Sequence, residues 1–500
     1  MFIRQRKNPS GSISIQIIDK SNGKYKVVET IACAKDEIEL EFYLQNAKTR
    51  LDELNPTLFN YENNHSFIDI NNDQISVVGP EIIFGEILKY IGCQKLFNKY
   101  KNIQLFKDLV IVRLIHPGSK LNLTDYMFKY NHKTISTQTI YRFLDTIEYK
   151  LKDDIEQCIF DYTKTIVGEI RVSFYDVTTL YFEASSEDDL RKVGFSKDGK
   201  FTKPQIVLGL LTSLEGYPIG FEIHQGNTYE GNTFIPILEK FQKKFNIEKP
   251  IVVADSGLLS KKNIELLEAN NYKYVLGARI KSVTNIVKDK IINLKLNEAK
   301  NIDTIVLSKM QKLIISYSLK RAKKDKYTRE KNLRKLEIKV KSKNLTKSHL
   351  NNKGYNKYLE LNSNCNTTID INYDKYNYDC NFDGLKGFIT NDFALSPSQI
   401  IEHYTNLWYI ERAFRISKTD LKIRPIYHRL EHRIKSHILI SFVAYIVYKE
   451  FERKLKVNNI EISVKSAIDD IKTMYGFLNK DKVVMLSLNE RQQKIYDLFF

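Results

Sequence analysis

A change of hydrophobic period near residue 169 is the feature that most constrains the fold of this chain. Before it, apolar residues recur mainly at helical spacing, whereas after it they fill short runs rich in Val, Ile, Leu, Phe and Tyr. Such runs, when bounded by turn residues, are typical of buried β-strands. Three of them follow in direct succession, over residues 171–182, 204–213 and 217–225.

The elements after these three strands favour a mixed sheet. The sequence predicts a helix, a strand, a helix and a strand, over residues 232–245, 250–254, 261–270 and 272–278. A meander followed by β-α units is the order of a ribonuclease H-like fold. A further strand is predicted at 383–391, and the Lys-, Arg-, Asn- and Tyr-rich stretch before it is predicted to be a solvated insertion. We therefore predict an α/β fold, with a ribonuclease H-like mixed-sheet core interrupted by an insertion and a mainly helical N-terminal region.

Six segments are predicted along the 500 residues. They are an N-terminal β-hairpin plus helix (1–79), a candidate helical DNA-binding region (80–165), the first part of the core (166–280), the insertion (281–380), the second part of the core with a candidate catalytic Glu (381–450) and a C-terminal helical region (451–500). Plain helical packing is an equal alternative for residues 80–165, because no helix-turn-helix signature is clean there.

Composition indicates the kind of partner and the compartment. The net charge of +18 favours a polyanion, nucleic acid before membrane, although Lys could simply be frequent in a chain this rich in Asn, Ile and Tyr. Five cysteines without a CxxC pair predict a reducing compartment. The N-terminus is too polar for a signal peptide, and the apolar stretch 438–447 is too short to span a bilayer. We expect a cytoplasmic protein.

Two acidic residues occupy strand positions that need an explanation. Asp176 lies in the middle of the first predicted strand, among apolar neighbours, and a buried carboxylate without a partner costs several kcal/mol. Asp255 directly follows a strand, where α/β sheets tend to place ligands. For each residue alone, capping a helix or bonding to a turn is the alternative interpretation.

A third acid lies in the segment that runs from Tyr404 to Lys418. Ser396 and Pro397 predict the start of a helix that continues through this segment. One side of that helix would carry Tyr404, Leu407, Trp408, Glu411, Arg415 and Lys418. An acid beside aromatics and cations suits a metal ion held against a phosphate. With Asp176 and Asp255, Glu411 would supply the oxygen ligands that Mg²⁺ or Mn²⁺ prefers, for two ions per site.

These residues, in this order and spacing, resemble the DDE transposases of bacterial insertion sequences. The similarity is to the IS-four superfamily with its YREK signature, in which Tyr, Arg, Glu and Lys are separated by two, three and six residues. Further segments resemble its sixteen-thirty-four subgroup: Met1 to Asp19, His116-Pro-Gly-Ser-Lys120, Tyr141-Arg142 and Leu407 to Arg415. Leu407 departs from the signature because it stands at the Arg position, and we expect Arg415 to substitute for that cation in part.

The resemblance implies a function and a set of residue roles. Asp176, Asp255 and Glu411 would be catalytic and metal-binding, and Tyr404 and Lys418 would contact DNA phosphates. The protein would bind the terminal inverted repeats of an insertion sequence as double-stranded DNA, cleave them and join them to target DNA. It would act as a homodimer in a synaptic complex on the bacterial nucleoid. A metal-dependent endonuclease without strand transfer and a catalytically inactive DNA-binding regulator are the alternatives.

Other residues allow more than one interpretation. Trp408, the only tryptophan, could stack on a DNA base, but burial against the core is favoured. His428, His432 and His437 with Glu431 have metal-ligand spacing, yet a basic helix that faces DNA is favoured over a metal site. The segment Gly194 to Gly199 lacks the spacing of a P-loop; its Ser196 and Lys197 could approach DNA. Asn391 is predicted to make a structural hydrogen bond at a strand end.

Overall fold

The computed structural model describes residues 1–20, 23–54, 75–100, 103–257, 260–342, 345–351, 354–362, 368–479 and 482–500. The chain forms two compact units. The first unit comprises residues 1–76 and 477–484, and the second comprises residues 77–476 and 485–500.

The first unit is built on an antiparallel sheet of β1 (Phe2–Lys7), β2 (Ile13–Asp19) and β3 (Lys26–Ala34), followed by helix α1 (Glu37–Leu54). The central strand β2 buries Ile15, Ile17 and Ile18 completely. The predicted hairpin and helix are confirmed, whereas β1 was not predicted. The turn residues Ser21 and Asn22 lie outside the described residues.

A helical region follows a short strand, β4 (Ile75–Val77). Its helices are α2 (Gly79–Tyr90), α3 (Gln94–Lys99), α4 (Ile103–Ile115), α5 (Lys120–Asn131), α6 (Thr137–Thr146) and α7 (Lys152–Val167). The sequence predicted one helix over residues 80–98, and the structure has two because Gly92 adopts a φ of +92°. Helix α4 ends before Pro117 and Gly118, as predicted.

The next segment forms the centre of an eight-stranded mixed sheet. Its elements are β5 (Val172–Tyr181), β6 (Gln205–Thr212), β7 (Pro218–Gln225), α8 (Phe234–Phe245), β8 (Ile251–Ala254), α9 (Lys261–Ala269) and β9 (Tyr274–Ala278). Strands β5, β6 and β7 form an antiparallel meander, and β8 runs parallel to both β5 and β9. All five strands and both helices were predicted from the sequence, and the α/β class is confirmed.

Residues 281–390 contribute three more strands to the same sheet. The elements are α10 (Asn285–Asn293), β10 (Ile302–Val306), β11 (Lys312–Tyr317), α11 (Leu319–Lys341), β12 (Leu359–Asn362), β13 (Thr368–Ile371), α12 (Tyr373–Cys380) and β14 (Leu385–Thr390). The sheet order is β10-β11-β14-β9-β8-β5-β6-β7. Strand β11 ends and β14 begins at directly paired residues, Tyr317 and Leu385. The sequence did not reveal β10 and β11 inside the predicted insertion.

The C-terminal region is mainly helical. It contains α13 (Pro397–Thr405), α14 (Trp408–Thr419), α15 (Glu431–Val457), α16 (Val464–Ile471), β15 (Tyr475–Asn479), β16 (Lys482–Met485) and α17 (Glu490–Tyr496). Strands β16, β15 and β4 form a small sheet in that order. As predicted, Ser396 caps α13, in a reciprocal capping box with Gln399.

Helix α15 joins the helical region to the sheet. Its Phe451 ring meets Phe84 of α2 at a centroid distance of 5.5 Å, and its Phe442 ring meets Phe221 of β7 at 4.9 Å. The stretch predicted to be a buried helix, residues 438–447, is its central part and is buried throughout. No helix among the described residues has the length and apolar character needed to cross a bilayer.

Candidate active site

Two of the predicted acids lie side by side at one edge of the sheet. Strands β5 and β8 are parallel, with Tyr175 opposite Ala254, so the next residues, Asp176 and Asp255, leave the paired region together. The Oδ1 atom of Asp255 accepts a hydrogen bond of 2.6 Å from the backbone N–H of Gly257. The Oδ1 atom of Asp176 accepts one of 2.7 Å from the N–H of Val177. The backbone therefore fixes both carboxylates.

Burial disfavours the ionised form of Asp176. It raises the pKa of the Asp176 carboxyl group from 3.8 to about 6; Lys197 and the Val177 N–H oppose the rise, and the negative charge of Asp255 adds to it. A nearby cation stabilises the ionised form of a buried carboxylate more than that of a solvated one.

Tyr404, at the end of α13, lies against β9. A Cβ atom on Gly277 would stand only 2.4 Å from the Tyr404 hydroxyl oxygen, so the ring approaches the strand where no side chain intervenes. Burial, together with the charges of Asp255, Glu411 and Asp176, raises the pKa of Tyr404 to about 12. One hydroxyl group thus experiences all three predicted acids, and it stays protonated at neutral pH.

Glu411 approaches this edge from a helix. It is exposed on the first turn of α14, which packs against β5. Among the described residues, no three His, Cys, Asp or Glu side chains stand close enough together to hold one metal ion. The structure thus brings Asp176 and Asp255 together and keeps Glu411 nearby on a separate element.

The prediction of one continuous helix from Ser396 to Lys418 is wrong. Helix α13 ends at Thr405 and α14 begins at Trp408. At the corner, the Leu407 N–H donates to the Tyr404 carbonyl and the Ile410 N–H donates to the Leu407 carbonyl, each at 3.1 Å. These bonds span three residues instead of four, so the turn is tighter than an α-helix. Tyr404 and Lys418 therefore belong to different helices.

Leu407, the position that departs from the signature, packs inside the corner and is 5% exposed. A cation at this position would be buried in the apolar core. The nearby Arg412 forms an ion pair with Glu452, whereas Arg415 is exposed and makes no ion pair among the described residues. Arg415 remains our prediction for a substitute phosphate contact.

Lys418 and Trp408 differ in their surroundings. Lys418 Nζ lies 3.2 Å from Asp198 Oδ1, and Arg424 Nη1 lies 2.7 Å from Asp198 Oδ2, so one carboxylate holds two cations. Burial lowers the pKa of Lys418, and Asp198 opposes this change.

Trp408 is 43% exposed, and its ring stacks on Tyr409 at a centroid distance of 4.1 Å. It is therefore not the core residue that the sequence favoured.

The histidines near α15 have structural roles. His437 is buried, with Nε2 2.9 Å from the carbonyl oxygen of Ile423, and His432 Nε2 lies 2.8 Å from Asp145 Oδ1. His428 is also buried, and burial lowers its pKa to about 3. The interpretation of this stretch as a face that presents all three to DNA is wrong for His428 and His437. Asn391 makes the predicted structural bonds, to the Tyr274 N–H and the Tyr272 carbonyl.

The sequence predicted only that Lys197 could approach DNA, and it assigned no role to Glu230, Asp198 or Lys386. Lys197 Nζ lies 3.6 Å from Asp176 Oδ1 and 3.0 Å from Glu230 Oε1, and it donates a 2.7 Å bond to the Val177 carbonyl. Lys386 Nζ lies 4.3 Å from the centroid of the Tyr404 ring. Glu230 lies in the connection between β7 and α8, and Asp198 lies in the one between β5 and β6, where no periodic pattern marks a functional side chain.

Comparison with known proteins identifies the family. The model of the transposase DDE domain matches residues 168–447, which is more than half of the chain and contains every residue of the site described above. The chain belongs to the DDE transposase family. No curated protein matches the transposase.

The transposase is also similar to solved structures. One is the cryo-EM structure of the piggyBac transposase synaptic complex with hairpin DNA, with a TM-score of 0.39, 8% identity and coverage of 81% of this chain and 80% of that chain. Another is the Mos1 transposase paired-end complex with the left transposon end, with a TM-score of 0.16, 12% identity and coverage of 34% and 56%. Both similarities are remote, and the family assignment rests on the domain match.

Proposed function

We propose that this transposase binds the ends of a mobile element as double-stranded DNA, cleaves them and joins their 3′ ends to target DNA. The observation that carries this proposal is the pairing of Asp176 and Asp255 at one sheet edge, together with a Tyr404 hydroxyl that experiences the charges of both and of Glu411. Carboxylates that converge on one site are the ligands that metal-dependent phosphoryl transfer uses.

The strand order supports a ribonuclease H-like core. Strands β7, β6 and β5 form the meander, and β8 and β9 extend the sheet from β5 in parallel. The polypeptide between β9 and β14 would then be the insertion, although part of it adds β10 and β11 to the sheet. We also infer membership of the IS-four superfamily and its sixteen-thirty-four subgroup, and hence a bacterial, nucleoid-associated protein.

The donor set of the site fits hard divalent cations. Asp176, Asp255 and Glu411 offer only carboxylate oxygen, and Asp176 is a buried acid whose compensating charge is the ammonium group of Lys197. These three residues would hold Mg²⁺ or Mn²⁺, two ions per site. When bound, the ions would activate a water or a 3′-hydroxyl group and stabilise the leaving oxygen.

The remaining groups of the site would orient the DNA. The Tyr404 hydroxyl stays protonated and can donate a hydrogen bond to a phosphate oxygen. Lys418 and Arg424 lie together on Asp198 and present positive charge beside β5. Arg415 and Trp408 are exposed on α14, and we propose that they contact the phosphate backbone and a base.

Helix α11 offers a longer DNA surface. Its 23 residues include eleven Lys and Arg against three acids, and most of these cations are exposed. The charge of Arg321, near the start of α11, acts on both Tyr404 and Lys386, so the helix begins near these two residues of the site. We propose that a duplex held at the site continues along α11, which would give the predicted insertion (281–380) a DNA-binding role.

The same proposal extends to the assembly. Because both element ends must be processed together, we infer a homodimer in a synaptic complex, with the helical region 80–165 contributing to end recognition. The residues after 450 are candidates for the dimer contact.

The test is an in vitro reaction on DNA that carries the inverted repeats flanking the gene. The wild-type protein should nick these ends in Mg²⁺ and join them to a second DNA. The variants Asp176→Asn, Asp255→Asn and Glu411→Gln should each lose cleavage while retaining end binding in a gel shift. Nicking without joining would favour an endonuclease, and near-normal cleavage by one variant would remove that residue from the site.

A further inference from the structure

The connection between β5 and β6 contains a firmly anchored turn, residues 194–201, which we call the 194–201 loop. The buried side-chain amide of Gln205 donates bonds of 2.9 Å to the carbonyls of Phe195 and Gly226. Only glycine fits at position 194, because a Cβ atom there would clash with the Gly226 carbonyl oxygen at 2.4 Å. The Lys197 N–H donates a 3.0 Å bond to Thr179 Oγ1 of β5. The loop is therefore held against the strand that carries Asp176.

The inner side of this loop carries two adjacent residues of opposite charge. Lys197 reaches Asp176 and Glu230, while Asp198 holds Lys418 and Arg424. The side chains of Asp198 and Lys418 are only 14% and 12% exposed, so these contacts are sheltered from solvent. Ser196 is buried, and its hydroxyl accepts bonds from the N–H groups of Asp198 and Lys200. One short turn thus contacts both the acids and the phosphate-binding cations of the proposed site.

The outer side of the loop carries two exposed aromatic rings. Phe195 is 76% exposed and Phe201 is 57% exposed, and their ring centroids are 6.1 Å apart. An exposed phenylalanine ring does not stabilise the folded state, because stabilisation comes from removing apolar area from water. Lys200 and Arg424 both lie over the Tyr181 ring beside the loop, at 5.6 Å and 5.7 Å. The exposed rings therefore lie on a loop that is flanked by two cations.

We propose that the 194–201 loop binds unpaired nucleotides at the cleaved DNA end. Phe195 and Phe201 would stack on bases, and Lys418 and Arg424, positioned by Asp198, would bind the adjoining phosphates. Exposed aromatics beside a track of cations are the recurring design of single-strand binding surfaces. The inference rests on the proposed function and adds the class of substrate that the site holds, a DNA end whose last bases are unstacked.

The test uses the full-length protein in EDTA, so that no DNA is cleaved. One probe is a duplex with a single-stranded 3′ tail that contains 2-aminopurine, whose fluorescence falls when the base stacks on an aromatic ring. The other probe is the same duplex without the tail. The wild-type protein should quench the tailed probe and bind it more tightly than the blunt one. Phe195→Ala and Phe201→Ala should each weaken binding of the tailed probe about 5- to 100-fold and leave blunt-duplex binding unchanged.

Phe393→Ala is the matched control. This residue is 48% exposed, and it follows the carboxyl end of β14. Since β14 is antiparallel to β9, that end lies at the opposite edge of the sheet from Asp255. The control should quench and bind both probes as the wild type does. Phe195→Trp keeps an aromatic ring and should restore quenching, which separates stacking from any effect of the alanine on folding.

Four results would overturn the inference, and each is distinct. Undiminished quenching in both alanine variants would show that other groups stack on the tail. A change of oligomeric state in these variants without DNA, measured by light scattering, would assign the rings to a protein contact. Equal binding of both probes by the wild type without quenching would remove the loop's role and leave the proposed function intact. Failure of the wild type to bind either probe would refute the proposed function as well.

Discussion

Asp176 should make the metal-free transposase less stable at neutral pH, so Asp176→Asn should stabilise it. The pKa of this carboxyl group rises from 3.8 to about 6 on folding, mainly because it is buried. An acid with a raised pKa leaves stability intact below its unfolded-state pKa and reduces stability as the pH rises through its folded-state pKa. The stability lost by the wild type therefore develops between about pH 4 and pH 6 and is complete above that window.

The size of the effect follows from the shift. A rise of roughly two pKa units corresponds to about 3 kcal/mol of folding free energy at pH 8. This figure already includes the attraction of Lys197, which opposes the rise in the Asp176 pKa. In a protein of this size, the difference corresponds to a shift in melting temperature of a few degrees.

The assay is thermal unfolding of both proteins in EDTA across this pH range. The melting temperatures should coincide near pH 4 and separate as the pH rises, with the variant higher. Burial lowers the pKa of His428 and His437 in both proteins, so the contribution of these histidines to the pH dependence cancels in the difference. Added Mn²⁺ should then raise the melting temperature of the wild type more than that of the variant, because a ligand of the native state stabilises it.

Asp188→Asn is the control of opposite sign. Burial acts to raise the pKa of Asp188, but the bonds and charge of Arg191 and the Leu190 N–H together outweigh it and lower the pKa, so this variant should lose stability at neutral pH. A melting difference for Asp176→Asn that is independent of pH would refute the reasoning. A variant less stable than the wild type at pH 8 in EDTA would also refute it.

Three further predictions concern neighbouring residues. Asp198→Asn removes the carboxylate that holds Lys418 and Arg424, and filter binding should show weaker retention of a duplex, whereas unchanged affinity would show that these cations do not contact it. Gly277→Ala places a methyl group against the Tyr404 ring, so cleavage should fall and urea unfolding should show a loss of about 1–3 kcal/mol; unaltered stability would mean that the ring moves freely. Replacing Lys323 and Lys331 of α11 by Glu should make the fall of log affinity with log salt less steep, by about 0.9 for each phosphate that the protein no longer neutralises. The control Lys465→Glu on α16 makes a charge change of the same kind and should leave the slope unchanged.

The central strands could be predicted because each is a dense apolar run between turn residues. Asp176 and Asp255 could be placed with them, since an acid inside such a run, or directly after it, stands out. Strand β11 escaped prediction because its apolar run, Leu313 to Ile315, is only three residues long and lies inside a Lys-rich stretch.

The corner between α13 and α14 could not be predicted from local preference. Nothing around Leu407 breaks a helix, and the tertiary burial of this side chain decides the turn. The pairs Lys197–Glu230 and Asp198–Lys418 join residues that are distant in sequence, so only the folded topology brings them together. The sequence thus predicted the candidate acids but not the residues that neutralise and position them.

The register of β11 and β14 has a consequence for how this chain can be altered. Tyr317 and Leu385 face each other, and the Ser318 N–H donates a 3.0 Å bond to the Gly384 carbonyl, so the chain leaves the sheet and re-enters it at touching points. Topologically, everything between them is the loop of a β-hairpin, however large its content. Because closure entropy depends only weakly on loop length, such an excursion can be exchanged for a two-residue turn or for a foreign module at little cost to the sheet. A shortened enzyme of this kind would keep the acids of the candidate active site and lose helix α11. Catalysis and the proposed DNA binding by α11 could then be studied separately.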